Sequence, residues 1–129
     1  MKIEHIALWT YSLEEMRSFY MKYFGATSNE KYTNIKKGFE SYFLTFDTGA
    51  RLELMKMDGI ARNTFLPDHQ HTGFIHFAMS VGSKPEVDRL TEQLRTDGFV
   101  VVGEPRTTGD GYYESVILDP DGNRIEITV

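Results

Sequence analysis

The chain has 129 residues, of which 40% are hydrophobic and 26% are charged, and a formal net charge of −5; these values are typical of one folded domain. The acidic balance argues against nucleic acid as a partner, and the lack of cysteine excludes disulfides and thiolate metal sites. No signal-peptide pattern or membrane-length apolar run is present, so we expect a cytoplasmic protein without a membrane partner.

The first half of the chain begins with a predicted strand and helix. Residues 3–9 have strand character, with His5, Ala7 and Trp9 on the face opposite Ile6 and Leu8. Ser12-Leu-Glu-Glu15 is a capping-box pattern and predicts a helix that runs to about Phe24. Gly25 is then suited to end this helix.

The remainder of the first half predicts a hairpin. Residues 26–38 are polar and weakly patterned, which is consistent with a short strand and a loop. Residues 39–46 and 51–57 favour β-structure across a turn, and Glu53 faces away from the leucines of its strand. Residues 58–72 contain turn-forming and polar residues without a sustained hydropathy period, which predicts a connector. The chain is therefore expected to consist of module 1 (1–57), this connector (58–72) and module 2 (73–129).

The second half repeats the order of elements. Residues 74–81 predict a strand with His76 opposite the aliphatic side chains. A second capping box at Ser83-Lys-Pro-Glu86 predicts a helix that ends at Gly98. Three strands are then expected at 99–102, 112–118 and 124–128, with a loop at 103–111 and a tight turn at Asp119-Pro-Asp-Gly122.

The two halves also echo each other residue by residue. A glycine, an arginine and a glutamate recur with one spacing, as Gly49, Arg51 and Glu53 and again as Gly122, Arg124 and Glu126. Such a repeat indicates a duplicated unit that cannot bury both sheet faces alone. The sequence therefore predicts an α+β fold in which two βαβββ modules form paired curved mixed sheets with helices on the outer face.

The repeat also predicts a metal site. If the modules pair about a pseudo-twofold axis, four equivalent side chains converge: His5, Glu53, His76 and Glu126. Two imidazoles and two carboxylates suit one divalent ion, which could be Ni, Zn, Co, Mn or Fe. A single strand histidine is more often hydrogen-bonded or solvated, so the hypothesis depends on the recurrence of both residue types. His69 and His71 form a looser alternative pair, typical of solvated loop histidines.

Several motifs resemble one known family over nearly the whole length. They are His5-Ile-Ala-Leu8, the helix from Ser12-Leu-Glu-Glu15 to Phe24-Gly25, Arg51-Leu-Glu53-Leu-Met55, Phe74-Ile-His76-Phe-Ala78, and Asp119-Pro-Asp-Gly-Asn-Arg-Ile-Glu126. Together they resemble the vicinal oxygen chelate superfamily. It includes glyoxalase I, methylmalonyl-CoA epimerase, extradiol dioxygenases, fosfomycin-modifying enzymes and bleomycin-sequestering proteins.

Within that superfamily the His/Glu/His/Glu pattern is most similar to glyoxalase I, the lactoylglutathione lyase. The resemblance implies a metal-dependent lyase or isomerase that acts on a small substrate with vicinal oxygens through an enediolate, with Glu126 as the base and Glu53 as its partner. Epimerases carry glutamine at the position of Glu53, dioxygenases need one carboxylate, and bleomycin binders lack the metal ligands. The alternatives are therefore an epimerase, a dioxygenase, or a metal-free protein that sequesters an antibiotic.

The sequence departs from glyoxalase I at two places. Trp9 stands where glyoxalase I usually has an arginine that helps to hold glutathione, and the loop 107–111 lacks the expected basic residue. Both departures put glutathione in question as the co-substrate. Five side chains are candidates for a largely aromatic substrate wall or for sheet packing: Trp9, Phe43, Met55, Tyr112 and Tyr113. We expect Phe43 to pack in the sheet and Trp9, Met55, Tyr112 and Tyr113 to bind substrate. Members of the superfamily pair modules within or between chains, and we expect a homodimer.

Overall fold

The computed structural model describes residues 1–66 and 69–129. Pro67 and Asp68, which belong to the predicted connector, lie outside the described residues. The chain divides into two compact units, Met1–Asn63 (unit 1) and Thr64–Val129 (unit 2). Each unit combines an α-helix with a mixed β-sheet, so the predicted α+β fold class is confirmed.

Unit 1 has the order β1(His5–Trp9), α1(Leu13–Phe24), β2(Thr27–Ser28), β3(Tyr32–Asn34), a 3-10 turn (Ile35–Lys37), β4(Phe39–Thr45) and β5(Arg51–Met57). The sheet order is β1-β5-β4-β2, and β3 also pairs with β4. Strand β1 runs parallel to β5, whereas the other pairs are antiparallel. The polar stretch 26–38 therefore holds two short strands where the sequence predicted one.

Helix α1 covers one face of this sheet. The core contains apolar side chains from both elements: Leu13, Met16, Phe19 and Tyr20 from the helix, and Tyr42, Leu44, Leu52 and Leu54 from the sheet. Because side chains of a strand alternate between faces, burying Leu52 and Leu54 directs Glu53 to the uncovered face. This alternation agrees with the predicted strand faces.

The start of α1 differs from the prediction. The side chain of Ser12 makes no capping hydrogen bond, so the predicted capping box is wrong. Instead, the backbone N–H of Ser12 donates to the buried Thr10 hydroxyl at 2.9 Å. The helix ends as predicted, because Gly25 has φ 66° and donates its N–H to Tyr20.

Unit 2 has the order β6(His76–Ser80), α2(Lys84–Thr96), β7(Val101–Thr107), β8(Tyr113–Leu118) and β9(Arg124–Thr128). The sheet order is β6-β9-β8-β7, with β6 parallel to β9. Its core again joins the helix to one sheet face, through Val87, Leu90, Thr91, Leu94, Ser115, Ile117, Ile125 and Ile127. Neither helix in the described ranges has the length and apolar character needed to cross a membrane.

Two predictions for unit 2 are corrected. Strand β7 extends to Thr107, into the stretch predicted as a loop, because an edge strand accommodates Pro105 and a bulged register around Gly103. The Ser83 side chain, like that of Ser12, makes no capping hydrogen bond. The final turn has the expected form, with Gly122 at φ 84° and its N–H bonded to Asp119.

Candidate functional site

In unit 1, one histidine and one glutamate meet on the uncovered sheet face. His5 opens β1, and the parallel register sets Ala7 beside Glu53 of β5. The Nε2 atom of His5 lies 3.9 Å from Oε2 of Glu53. The His5 side chain is 41% exposed and that of Glu53 is 16% exposed, so the pair is open to solvent from the imidazole side.

Unit 2 repeats this construction. His76 opens β6, and the parallel register sets Ala78 beside Glu126 of β9. The Nε2 atom of His76 lies 3.0 Å from Oε2 of Glu126. The structure thus brings each sequence-predicted histidine next to the glutamate of its own unit.

A third acidic residue, Glu4, contacts His5 at the ring nitrogen that does not face Glu53. The Nδ1 atom of His5 contacts the carboxylate of Glu4, and Nε of Arg51 donates to the same carboxylate at 2.8 Å. Hydrogen bonds from His5 and from Arg51 lower the pKa of Glu4. The ring of Phe43 packs edge-on against His5 at 5.5 Å and lies under the Arg51 guanidinium at 4.2 Å. Sequence analysis did not single out Glu4, although its position next to His5 was visible.

A further carboxyl group, Glu114, lies beside the unit 2 pair. It belongs to β8, where Val116, two residues later, pairs with Glu126, and burial followed by the neighbouring charge of Glu126 raises the pKa of Glu114. Arg106 is 3.6 Å away from the Glu114 carboxylate and opposes this shift. Alternation with the buried Ser115 and Ile117 is the sequence signal that assigns Glu114 to the face of Glu126.

The four predicted substrate-binding residues do not all lie on the sheet faces that carry Glu53 and Glu126. Trp9 is the register partner of Met55 on the face of Glu53, is 42% exposed, and packs edge-on against Phe39 at 6.1 Å. Tyr112 is 60% exposed and precedes β8. The Tyr113 hydroxyl donates to Asp88 of α2 at 2.7 Å. Tyr113 therefore lies on the helix-covered face, away from Glu126.

The alternative histidine pair has other contacts. The ring of His71 stacks on Phe65 with 4.2 Å between centroids, and its Nδ1 atom lies 3.1 Å from the carbonyl oxygen of Thr72. The backbone N–H of His69 donates to Leu66 at 3.0 Å. Both residues lie before β6 rather than on the strands that carry the glutamates.

Each His–Glu pair offers two donor atoms that suit a divalent ion. Two atoms that bind one ion at about 2.1 Å, with about 90–110° between them, lie about 3.0–3.4 Å apart. The separation of 3.0 Å in the His76 pair matches this range, and the 3.9 Å separation in the His5 pair requires a small rotamer adjustment. Across residues 1–66 and 69–129, no group of three or more His, Asp or Glu side chains is gathered as a metal site. The nitrogen and oxygen donors that suit a divalent ion therefore occur as two separate His–Glu pairs.

Comparison with known families decides the relationship of this chain. The family model described as Glyoxalase/Bleomycin resistance protein/Dioxygenase superfamily matches residues 2–127 of this chain. The chain belongs to this superfamily. The resemblance inferred from the sequence motifs is thereby confirmed.

Individual proteins are similar to this chain at low sequence identity. The uncharacterized protein YqjT from Bacillus subtilis (strain 168) is 27% identical, with 97% of this chain and 96% of YqjT covered. A possible glyoxalase from Bacillus cereus is 26% identical with a TM-score of 0.73, covering 100% of this chain and 99% of that protein. The V278E mutant of glyoxalase I from Zea mays is 24% identical with a TM-score of 0.80 and 98% of this chain covered, and the chain spans 44% of the maize protein.

Proposed function

We propose that this protein is a metal-dependent lyase or isomerase of the glyoxalase I type, acting on a small substrate with vicinal oxygens through an enediolate. The observation that supports the proposal most is the repeated pair. His5 Nε2 is 3.9 Å from a Glu53 oxygen, and His76 Nε2 is 3.0 Å from a Glu126 oxygen. In the proposal these two pairs hold one ion between them.

The donor set limits the kind of ion. Imidazole nitrogen and carboxylate oxygen suit Ni, Zn, Co, Mn or Fe, and the chain has no cysteine that would favour a softer ion. His5, Glu53, His76 and Glu126 would hold such an ion, which would also bind the two substrate oxygens. When bound, the ion supplies Lewis-acid polarisation of those oxygens.

The two glutamates carry the proton transfer in this proposal. Glu126 removes the proton from the carbon next to the substrate carbonyl and returns it to the neighbouring carbon, while Glu53 is its partner. Their side chains are 19% and 16% exposed, which limits the water that competes for the proton. Glu114, which lies on the same sheet face beside Glu126, is in position to influence the basicity of that carboxylate.

The substrate is proposed to differ from a glutathione adduct. Trp9 occupies the position where glyoxalase I usually has arginine, and with Met55 it presents an apolar surface two register positions from Glu53 and Ala7. Arg106, which directly precedes the loop 107–111 where a basic residue is expected, lies 3.6 Å from the Glu114 carboxylate. We therefore propose a small substrate with an apolar group beside its two oxygens.

The assembly is proposed to be a homodimer. The imidazoles of His5 and His76 are each 41% exposed, so both uncovered sheet faces retain surface that a second copy can cover. Light scattering on the purified protein, with and without added divalent metal, measures this state. The predicted cytoplasmic location stays a prediction.

A metal-free binder is the second candidate. The observation that favours it is the aromatic row on unit 1, where Trp9 packs edge-on against Phe39, and Phe39 contacts Tyr32 with 6.1 Å between centroids. Such a row suits an aromatic antibiotic or a similar compound. An epimerase or dioxygenase on the same scaffold is distinguished by substrate screening, or by oxygen consumption in the presence of iron.

Metal analysis tests the leading proposal against the binder. The protein is purified without chelators, and bound metal is measured for the wild type and for His5→Ala, Glu53→Gln, His76→Ala and Glu126→Gln. Loss of metal in variants of both units supports one shared ion. The exposed Glu30 provides a matched control, Glu30→Gln, which retains metal. A wild-type protein that binds no divalent ion at micromolar concentration contradicts the proposal and favours the binder.

A further inference from the structure

We infer that Glu4 is a positioning residue that holds His5 in one tautomer and one orientation, and that no carboxylate among the described residues of unit 2 does the same for Nδ1 of His76. The inference rests on the proposed function only where it concerns metal binding. The geometry around Glu4 stands independently of the metal.

The carboxylate of Glu4 decides which nitrogen of His5 carries the proton. A carboxylate accepts hydrogen bonds, so the Nδ1 atom in contact with Glu4 must be the donor. A neutral imidazole with its proton on Nδ1 has a free lone pair on Nε2. That lone pair is on the nitrogen that faces Glu53, at a separation of 3.9 Å, as a metal ligand requires.

Glu4 is itself held by Arg51. The Arg51 side chain donates from Nε to the Glu4 carboxylate at 2.8 Å, and its Nη2 atom contacts the same group. The backbones are joined as well, because the N–H of Arg51 donates to the carbonyl of Glu4 at 3.0 Å. Arg51 in turn rests on Phe43, which also packs against the edge of His5. The imidazole is thus fixed by a hydrogen bond on one side and by an aromatic ring on another.

Unit 2 differs at the residue before its histidine. Ile75 precedes His76, and an isoleucine side chain has no acceptor for Nδ1. The Nε2 atom of His76 approaches Glu126 to 3.0 Å, close enough for a proton on Nε2 to be shared with that carboxylate. The two histidines of the repeat are therefore unequal: His5 is preset as a ligand, whereas His76 must give up its contact with Glu126 or lose a proton from Nε2.

Nitrogen NMR measures this difference without metal. Long-range proton–nitrogen spectra of ¹⁵N-labelled, metal-free protein are recorded at about pH 8, above the range in which histidines usually titrate. We expect His5 as the Nδ1–H tautomer in the wild type and in Glu4→Gln, whose amide oxygen still accepts a hydrogen bond. In Glu4→Ile, which copies Ile75, we expect the Nε2–H form to increase. The His76 signals and a Glu30→Ile variant serve as controls and remain unchanged.

Metal titration of the same proteins provides the second readout. Loss of a carboxylate that orients a metal-binding histidine typically lowers affinity about 10–100-fold, and we expect a loss in this range for Glu4→Ile and a smaller one for Glu4→Gln. The inference is overturned if His5 of the wild type is in the Nε2–H form, or if the His5 tautomer is the same in Glu4→Ile as in the wild type, even when metal binds normally. A tautomer that responds as expected in a protein that binds no metal upholds the inference and defeats the proposed function.

Discussion

Glu114 and Glu126 are neighbouring acidic residues on one face of a sheet, because Val116, two residues after Glu114, is the register partner of Glu126. They belong to neighbouring strands, β8 and β9, and lie on the uncovered face of the unit 2 sheet. Two neighbouring carboxylates repel each other when both are charged, so the arrangement is most favourable when one proton is retained. Burial adds to this effect and raises the pKa of Glu114.

The raised pKa of Glu114 predicts a dependence of stability on pH. Because the folded state holds this proton more tightly than the unfolded state, the contribution to stability is complete below the ordinary glutamate pKa and is lost as pH rises through the raised value. We expect the free energy of unfolding of the wild type to fall relative to Glu114→Gln as pH increases from about 4.5. Urea unfolding at a series of pH values measures the difference. A constant difference across that series, or one that Glu30→Gln reproduces, contradicts the assignment.

Replacement of Glu126 by glutamine is predicted to separate proton transfer from folding. The amide keeps the size of the side chain and one oxygen but cannot act as a base, so we expect turnover of an accepted vicinal dioxygen substrate to fall about 10²–10⁴-fold. Thermal unfolding of the metal-free variant should remain within a few degrees of the wild type. Metal-dependent turnover that survives at the wild-type rate removes Glu126 as the base.

The single tryptophan is predicted to report on ligand binding. Trp9 is 42% exposed and faces the same side as Met55, so an apolar group that lies against it should shift its fluorescence to shorter wavelength. Titration of the protein with vicinal dioxygen compounds of increasing apolar size measures the shift. Trp9→Phe should remove the signal and weaken binding in calorimetry, whereas Tyr112→Phe should change neither. Saturation in calorimetry with unchanged Trp9 emission shows that the substrate lies elsewhere.

A buried pair of hydroxyl groups is predicted to contribute to the stability of unit 2. The Thr91 and Ser115 oxygens are 2.6 Å apart, and both residues are almost fully buried between α2 and the sheet. Thr91→Val leaves the Ser115 hydroxyl without this partner, and we expect a loss of about 1–3 kcal/mol. The double variant Thr91→Val/Ser115→Ala should recover part of the loss, because no buried hydroxyl is left unpaired. Strictly additive effects in urea unfolding are the result that argues against coupling.

Neighbouring residues on β5 are predicted to differ sharply in their effect on stability. Leu54 is fully buried under α1, whereas Met55 is half-buried on the opposite face. Leu54→Ala should lower the free energy of unfolding by about 2–5 kcal/mol because it leaves a cavity, and Met55→Ala should cost clearly less. Equal losses in urea unfolding are incompatible with a core on the helix side of this sheet.

Much of the fold follows from local pattern. Alternation of apolar residues correctly separated His76 from Phe77 and Glu126 from Ile125, because a strand directs successive side chains to opposite faces. Gly25 and Gly122 correctly predicted a helix end and a turn. Both adopt positive φ, which glycine allows regardless of what packs around it. Strand β7 was underestimated because Gly103 and Pro105 disfavour strands locally, and pairing with β8 overrides that preference.

For the candidate site, as for the fold, the sequence determined one part and the tertiary structure another. The repeat in the sequence by itself determined which histidine and glutamate belong to each half and which sheet face carries them, since both depend on spacing and alternation. Tertiary structure decided what else those groups contact: Glu4 and Arg51 beside His5, Glu114 beside Glu126, and Asp88 beneath Tyr113. These contacts depend on strand register and on helix placement, which bring together residues far apart along the chain, and a periodic pattern does not specify such pairings.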